Sequence, residues 1–318
     1  MTTRVRLGAS PLEVARLGVG CWAWGDRRYW RYGEDFGPHD VVDAFDAYTE
    51  AGLDLFDTAE AYGAGRGEQI LGWLARRCGR KLVIATKYAP IAGRGGPAAI
   101  RKGLLGSMAR LGRPRIDLYQ LHWADRDEVQ IAATMAVLAE AVHAGQIGAV
   151  GISNFRAGEM RDAHDALARH GVPLATVQVH YSLLHRTPEV DGIIDACREL
   201  GVTMLAYSPL EQGLLTGKYT TTLAADGPRG ETASFAAANI DAAQTVLSTL
   251  RAIAAAYAVE PAAAALAWLL AKSPPIVPLV GAKNGGQARR NAEALTLRLD
   301  DAAIAALDAV SLPWLAIR

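Results

Sequence analysis

The sequence carries no surplus of charge of either sign: 33 Lys+Arg are matched by 33 Asp+Glu over 318 residues. That balance removes any global attraction to nucleic acid or to an anionic membrane surface. Cysteine is scarce. Cys21, Cys78 and Cys197 are odd in number and widely scattered, as expected of a reduced cytoplasmic protein and not of a disulfide framework. No apolar run follows Met1, so no secretory signal is expected. The most apolar helical segment, 261–271, is bounded by Glu260 and Lys272 and is too short to span a bilayer. Linkers, repeats and low-complexity tracts are missing as well, which points to one domain over residues 1–318. What is present is apolar. Hydrophobic residues make up 51% of the chain and charged residues 21%, enough to bury a large core.

Strand-like runs alternate with segments of helical period. The runs predict strands at 17–21, 54–58, 82–87, 117–122, 149–153, 176–180, 203–208 and 276–281. Between them, apolar residues at three- and four-residue spacing predict helices at 40–51, 68–77, 100–111, 128–144, 158–169, 190–200, 242–257 and 261–271. Gly52, Gly79, Gly112, Gly145, Gly171 and Gly201 each follow a helix, where a left-handed cap residue is expected. Eight strands alternating with helices imply a parallel sheet, and eight is the number that closes a (β/α)8 TIM barrel. Ahead of it, 5–7 and 14–17 flank a Gly-Ala-Ser-Pro turn, read as a hairpin that plugs the barrel's N-terminal end. The connections 22–39 and 210–239 are too long for bare turns and are expected to build the active site.

Three chemistry-bearing residues close strand-like runs: Asp57, Lys87 and His122. Tyr62 follows the first run in a Gly-rich turn. In neighbouring parallel strands these four side chains converge at one end of the sheet. A tyrosine with a pKa near 10 is a weak proton donor at neutral pH. A nearby ammonium stabilises its phenolate, and a carboxylate paired with that ammonium fixes its position and charge. The set therefore makes a proton donor for a carbonyl oxygen, with His122 orienting the carbonyl or helping to deliver the proton. Taken singly, each residue has a plainer reading as a core, surface or capping group.

The motifs Phe56-Asp-Thr-Ala-Glu-Ala-Tyr62-Gly, Ala85-Thr-Lys87, Leu121-His122, Gly151-Ile-Ser-Asn-Phe155, Val177-Gln178, Tyr207-Ser-Pro-Leu210 and Gly281-Ala-Lys with Gln287 and Asn291 occur in this order over nearly the whole chain. Together they resemble the aldo-keto reductase superfamily, and the segment from Gly20 to Gly25 is similar to its pyridoxal-reductase-like branch. The resemblance implies a barrel that binds NADPH extended and reduces an aldehyde or ketone. It implies Tyr62 as the general acid, Asp57 and Lys87 as its tuning pair, and His122 as the substrate-orienting group. For the cofactor it implies Gly20, Cys21 and Trp22 at the first strand end. Ser153, Asn154 and Gln178 would face the carboxamide, and Tyr207 the nicotinamide ring. Ser208, Pro209, Leu210, Gly213, Leu215 and Lys218 would follow the pyrophosphate. Gly281, Ala282, Lys283, Gln287 and Asn291 would lie at the far end, where a helix N-terminus suits a phosphate and Lys283 favours the 2′-phosphate, with Arg289 sharing the load. The sequence departs from the family pattern at Gly67, where Ser is common, at Ser182, where Asn is common, and at Arg290, where Glu often faces the adenine.

Trp22, Trp24, Tyr88 and Trp123 lie at or just past strand ends and are read either as an aromatic substrate pocket or as packing under the first loop. Arg27, Arg28 and Arg31 are read as surface groups or as contacts for an anionic substrate. Two other functions remain open: a cofactor-binding sensor with weak turnover, and an aldolase that uses Lys87 as a Schiff-base nucleophile. The compact barrel by itself suggests a monomer, with an oligomer left open, and a small carbonyl compound is the expected substrate, with no nucleic-acid or membrane partner.

Overall fold

The computed structural model of the chain describes residues 4–90, 94–124, 128–220, 223, 225 and 227–315. A short antiparallel hairpin comes first, β1 (Arg4–Arg6) with β2 (Glu13–Ala15). Eight parallel strands follow: β3 (Gly18–Gly20), β4 (Leu55–Asp57), β5 (Val83–Tyr88), β6 (Ile116–Leu121), β7 (Ile147–Ser153), β8 (Leu174–His180), β9 (Thr203–Tyr207) and β10 (Ile276–Val280). They pair in chain order, and β10 closes on β3, so the barrel has no free edge. All eight expected strands are present, with ends that differ by at most two residues; β7 and β8 each begin two residues earlier than expected.

Helices cover the outside: α1 (Pro38–Glu50), α2 (Arg66–Arg77), α3 (Pro97–Leu111), α4 (Glu128–His143), α5 (Ala157–Ala168), α6 (Ile193–Leu200), α7 (Ala237–Ala256), α8 (Pro261–Leu270), α9 (Gly285–Ala292) and α10 (Asp301–Val310). The expected start of α1 moves back to Pro38, a residue suited to a first helical turn, and the Asp40 carboxylate accepts the Gly37 N–H at 2.8 Å. Helix α6 starts three residues later than its apolar period predicts, because Gly192 at φ 87° interrupts the chain. One cap expectation fails. Helix α2 ends at Cys78 in an extended conformation, so Gly79 takes no left-handed turn, whereas Gly52, Gly112, Gly145, Gly171 and Gly201 all have positive φ.

Two apolar layers hold the barrel. The outer one packs strands against helices, and its largest wholly buried members include Trp24, Trp268, Tyr48 and Phe56. The inner one fills the barrel with Leu55, Val83, Leu118, Leu205, Val277 and Leu279, and the hairpin adds Leu7 and Val14 to it. Polar contacts pin the hairpin in place. The Gly8 N–H donates to Thr203 Oγ1 at 2.8 Å, and Asp54 takes the Ala15 N–H at 2.9 Å and the Arg4 guanidinium at 2.6 Å. Gly8 lies at φ 54° so close to Ala175 that a β-carbon would stand 2.7 Å from its carbonyl oxygen. The N-terminal end of the barrel is thus stoppered, and the open space lies at the other end. Among the described residues no single helix is long and apolar enough to cross a membrane. Helices α7 and α8 are so only together, and they meet at 94° with α8 buried in the protein.

Candidate active site

Asp57 ends β4, Lys87 lies near the end of β5, and His122 follows β6, so the parallel register brings all three to the open rim. Tyr62 opens a tight turn, Tyr62–Gly65, that folds back over them. The Lys87 ammonium donates to Asp57 Oδ1 at 2.5 Å, to the Thr58 carbonyl at 2.7 Å and to the Tyr62 hydroxyl at 3.4 Å, which uses its three protons. Asp57 Oδ2 accepts from the side-chain amides of Gln120 and Gln178, both at 3.0 Å. Lys87 is wholly buried. Burial works against its charge, but Asp57 and then Tyr62 outweigh it, and the ammonium is held above the ordinary lysine range.

The phenol behaves differently from the simplest expectation. Burial pushes Tyr62 up, and the pull of Lys87 in the other direction does not overcome it, so the hydroxyl keeps its proton well past neutrality. His122 is pushed down to about 3, by burial first and by Lys87 second, and is neutral. Its buried Nδ1 has no hydrogen-bond partner among the described residues.

Above these groups opens a cavity of about 770 Å³. Asp57, Tyr62 and His122 line it, as do Gly20, Trp22, Ser153, Asn154, Gln178, Tyr207, Ser208, Pro209, Leu210, Gly213, Lys218, Gly281, Ala282, Lys283, Gln287, Asn291 and Trp123. Four of the residues expected to touch cofactor or substrate do not, and Lys87 lies wholly buried beneath the lining. Cys21 is buried with its thiol 3.9 Å from the Val19 carbonyl, and Leu215 lies in the core. The chain turns after Cys21, which separates Trp24 from Trp22. Trp24 packs on Phe45 and Phe56 and donates its indole N–H to the Ala282 carbonyl at 2.9 Å. Tyr88 follows Lys87 on the same strand and so faces the helices. Its hydroxyl donates to the Arg94 carbonyl.

Several lining groups carried no sequence signal that singled them out: Trp30, Gln212, Thr216 and Arg229. Arg290, and not Arg289, faces the cavity. Arg27 and Arg28 are exposed, and Arg31 pairs with Glu34 and Asp35. The first loop instead contributes rings: Tyr29 stacks on Trp22 with centres 4.9 Å apart, and Trp30 meets Trp22 edge-on at 5.4 Å.

The lining suits a nicotinamide dinucleotide. Burial, and then Arg229 and Lys218, hold the Lys283 ammonium below the ordinary lysine range, a gathering of cations around Lys283 that phosphates would relieve. Lys283 also reaches the Trp30 carbonyl at 3.2 Å and Asp35 at 3.6 Å. Asn284 caps α9 by accepting the Gln287 N–H at 3.0 Å. Asn154, Ser208, Glu211 and Gln212 all hold left-handed backbone angles, with φ from 47° to 59°. Such residues cost on the order of 1–3 kcal/mol each and gather at ligand clamps.

The sequence pattern of the aldo/keto reductase family matches residues 16–312. An uncharacterised oxidoreductase of Mycobacterium tuberculosis (strain ATCC 25618 / H37Rv) is 36% identical over 90% of this chain and 86% of its own. The chloroplastic pyridoxal reductase of Arabidopsis thaliana is 35% identical over 71% of this chain and 64% of its own, and the NADH-specific methylglyoxal reductase of Escherichia coli (strain K12) is 32% identical over 94% and 95%. Among solved structures, a glycerol dehydrogenase from Gluconobacter oxydans superposes with a TM-score of 0.83 at 28% identity, covering 97% of this chain and 95% of that one. A thermostable aldo-keto reductase in complex with the inhibitor epalrestat gives 0.76 at 28% identity, covering 97% and 99%. With a parallel barrel, the Asp57–Lys87–Tyr62 contact at its open end and a family match over nearly its full length, the chain belongs to the aldo/keto reductase family.

Proposed function

We propose that the chain, acting as one catalytic unit over residues 1–318, reduces an aldehyde to an alcohol with NADPH. The observation that carries this reading is the Lys87 ammonium lying between Asp57 and the Tyr62 hydroxyl on the cavity floor. NADPH, when bound, supplies the hydride for the carbonyl carbon. Tyr62 gives its phenolic proton to the carbonyl oxygen, and Lys87, kept charged by Asp57, stabilises the phenolate left behind. Neutral His122 offers a ring nitrogen to the same oxygen and orients it. Ser153, Asn154, Gln178 and Tyr207 would hold the nicotinamide; Lys283 and Arg290 favour a 2′-phosphate. Trp22 and Trp123 line the cavity as flat apolar surfaces suited to a planar aldehyde. The names of two relatives, a pyridoxal reductase and a methylglyoxal reductase, support a reactive aldehyde as substrate. The unpaired thiols of Cys21, Cys78 and Cys197 fit a reducing cytoplasm.

The test is consumption of NADPH and of NADH with pyridoxal, methylglyoxal and nitrobenzaldehyde. Turnover with NADPH is expected. Tight cofactor binding without turnover on any of them would favour a sensor instead. An aldolase would need Lys87 as a free amine; its raised pKa and its bond to Asp57 oppose that. Borohydride trapping of a substrate on Lys87 would reverse the assignment.

A further inference from the structure

Beside the main cavity lies a second one of about 170 Å³, lined by His180, His185, Glu211, Asn239 and Trp314 among others. The proposed reaction gives it no task. His180, the last residue of β8, has its ring between two others. His185 lies parallel to it, with centres 4.0 Å apart and planes 9° from parallel. Tyr207 stacks on it at 5.2 Å and 16°. Tyr207 lines the main cavity, so three stacked rings run from one cavity to the wall of the other.

The same histidine makes a second contact. Its Nε2 lies 2.6 Å from Glu211 Oε1, and that oxygen also accepts the Ser182 hydroxyl at 2.5 Å. Glu211 is 5% exposed. Burial opposes its charge, but His180 and then Ser182 outweigh that, and the carboxyl is held below the ordinary range. Glu211 belongs to the segment 208–217, in which Ser208, Glu211 and Gln212 have φ of 49°, 47° and 53°. Side chains disfavour that backbone region, so the surroundings must enforce the shape. Ser208, Leu210, Gln212, Gly213 and Thr216 of this segment line the main cavity.

We propose that His180 is a positioning residue with two tasks: its ring backs Tyr207, and with Ser182 it pins Glu211 so that segment 208–217 keeps the bent shape that receives the cofactor. This rests on reading the main cavity as a nicotinamide dinucleotide site.

Two mild substitutions separate the tasks. His180→Gln removes the ring from the stack but keeps a side-chain donor for Glu211. Ser182→Ala removes one of the two groups on Glu211 and leaves the stack intact. Three measurements read them: amide hydrogen exchange of 208–217 in the cofactor-free protein, the Kd for NADPH and NADH, and single-turnover hydride transfer at saturating cofactor. Ser182→Ala is expected to speed exchange in 208–217 and weaken both cofactors about fivefold to tenfold, with hydride transfer unchanged. His180→Gln is expected to leave exchange as in the wild type and slow hydride transfer by about twofold to tenfold. Wild-type exchange, affinity and transfer in both variants would overturn the proposal. If the wild type binds no nicotinamide cofactor, the reading of the main cavity fails, while the exchange comparison still decides whether Glu211 is pinned.

Discussion

Trp123 lies flat on His122, with ring centres 3.9 Å apart and planes 10° from parallel. The stack helps bury an imidazole that also stands near Lys87, and its pKa falls to about 3. An unfolded histidine titrates near 6.5. Below that pH the unfolded chain binds a proton that the native state refuses, so stability is full above about 6.5 and drains away toward 3. His185, pushed down to about 4 by burial and then by His180, adds to the same slope. Linkage puts the share of His122 at about 2 kcal/mol between pH 7 and 5. Urea unfolding of His122→Gln should therefore lose about that much less than the wild type over this interval. Equal losses would mean that the native imidazole titrates normally.

Tyr62→Phe keeps the ring and removes the proton. The hydride step should slow by on the order of 10²–10⁴, while NADPH affinity stays near wild type. Because burial raises the phenol above its ordinary 10, the wild-type reduction rate should stay level through neutral and mildly alkaline pH. It should fall only where the hydroxyl ionises. Near-normal single-turnover reduction in Tyr62→Phe would assign the proton to another group, His122 first.

Lys283 and Arg290 both line the cavity. A charge-assisted contact to a 2′-phosphate is worth about 1.5–3 kcal/mol, roughly a tenfold to hundredfold effect on Kd. Lys283→Ala and Arg290→Ala should each weaken NADPH toward that range and leave NADH little changed. Isothermal titration with the two cofactors checks this. Equal losses for both would make these cations structural, and a wild-type preference for NADH would overturn the NADPH assignment.

Gly72 faces α3 so closely that a β-carbon would stand 2.3 Å from the Leu111 carbonyl oxygen. Alanine is better in a helix by about 1 kcal/mol, yet the clash is with backbone that has nowhere to go. Gly72→Ala should destabilise the fold by about 1–3 kcal/mol, read as a lower urea midpoint. A higher midpoint would show that α2 and α3 can separate freely.

The barrel is legible in the sequence because its strands are buried on both faces and read as apolar runs; β5 is buried at every position. Asp57, Lys87 and His122 are legible because each ends such a run, where a charge or an imidazole stands out. Orientation is harder to read. Trp24 and Tyr88 sit near strand ends just as Trp22 and Trp123 do, and only the turn after Cys21 and the in-out alternation of β5 send them into the core. Gln120 had a signal that register alone makes visible: it pairs with Lys87 across β5 and β6, and so points inward to Asp57. Arg289 and Arg290 differ by one step around α9, and the sequence shows no phase for so short a helix. Trp30, Gln212 and Arg229 come from long loops, whose path local periodicity does not encode. Tyr29 and Gln212 bond across two such loops, a contact between residues far apart in sequence.

The hairpin stopper gives the molecule two poles with different vulnerabilities. Leu7, Gly8, Arg4 and Asp54 work at one of them, separated from Tyr62 by the apolar filling of the barrel. Damage there should register as melting, with survivors turning over normally. Damage at the rim should register first as lost turnover, with melting at neutral pH shifting least where the buried Asp57–Lys87 pair is left intact. A paired melting and rate survey would sort substitutions by latitude, and the equator between the two behaviours should fall at the ring of Leu55, Leu118 and Leu205.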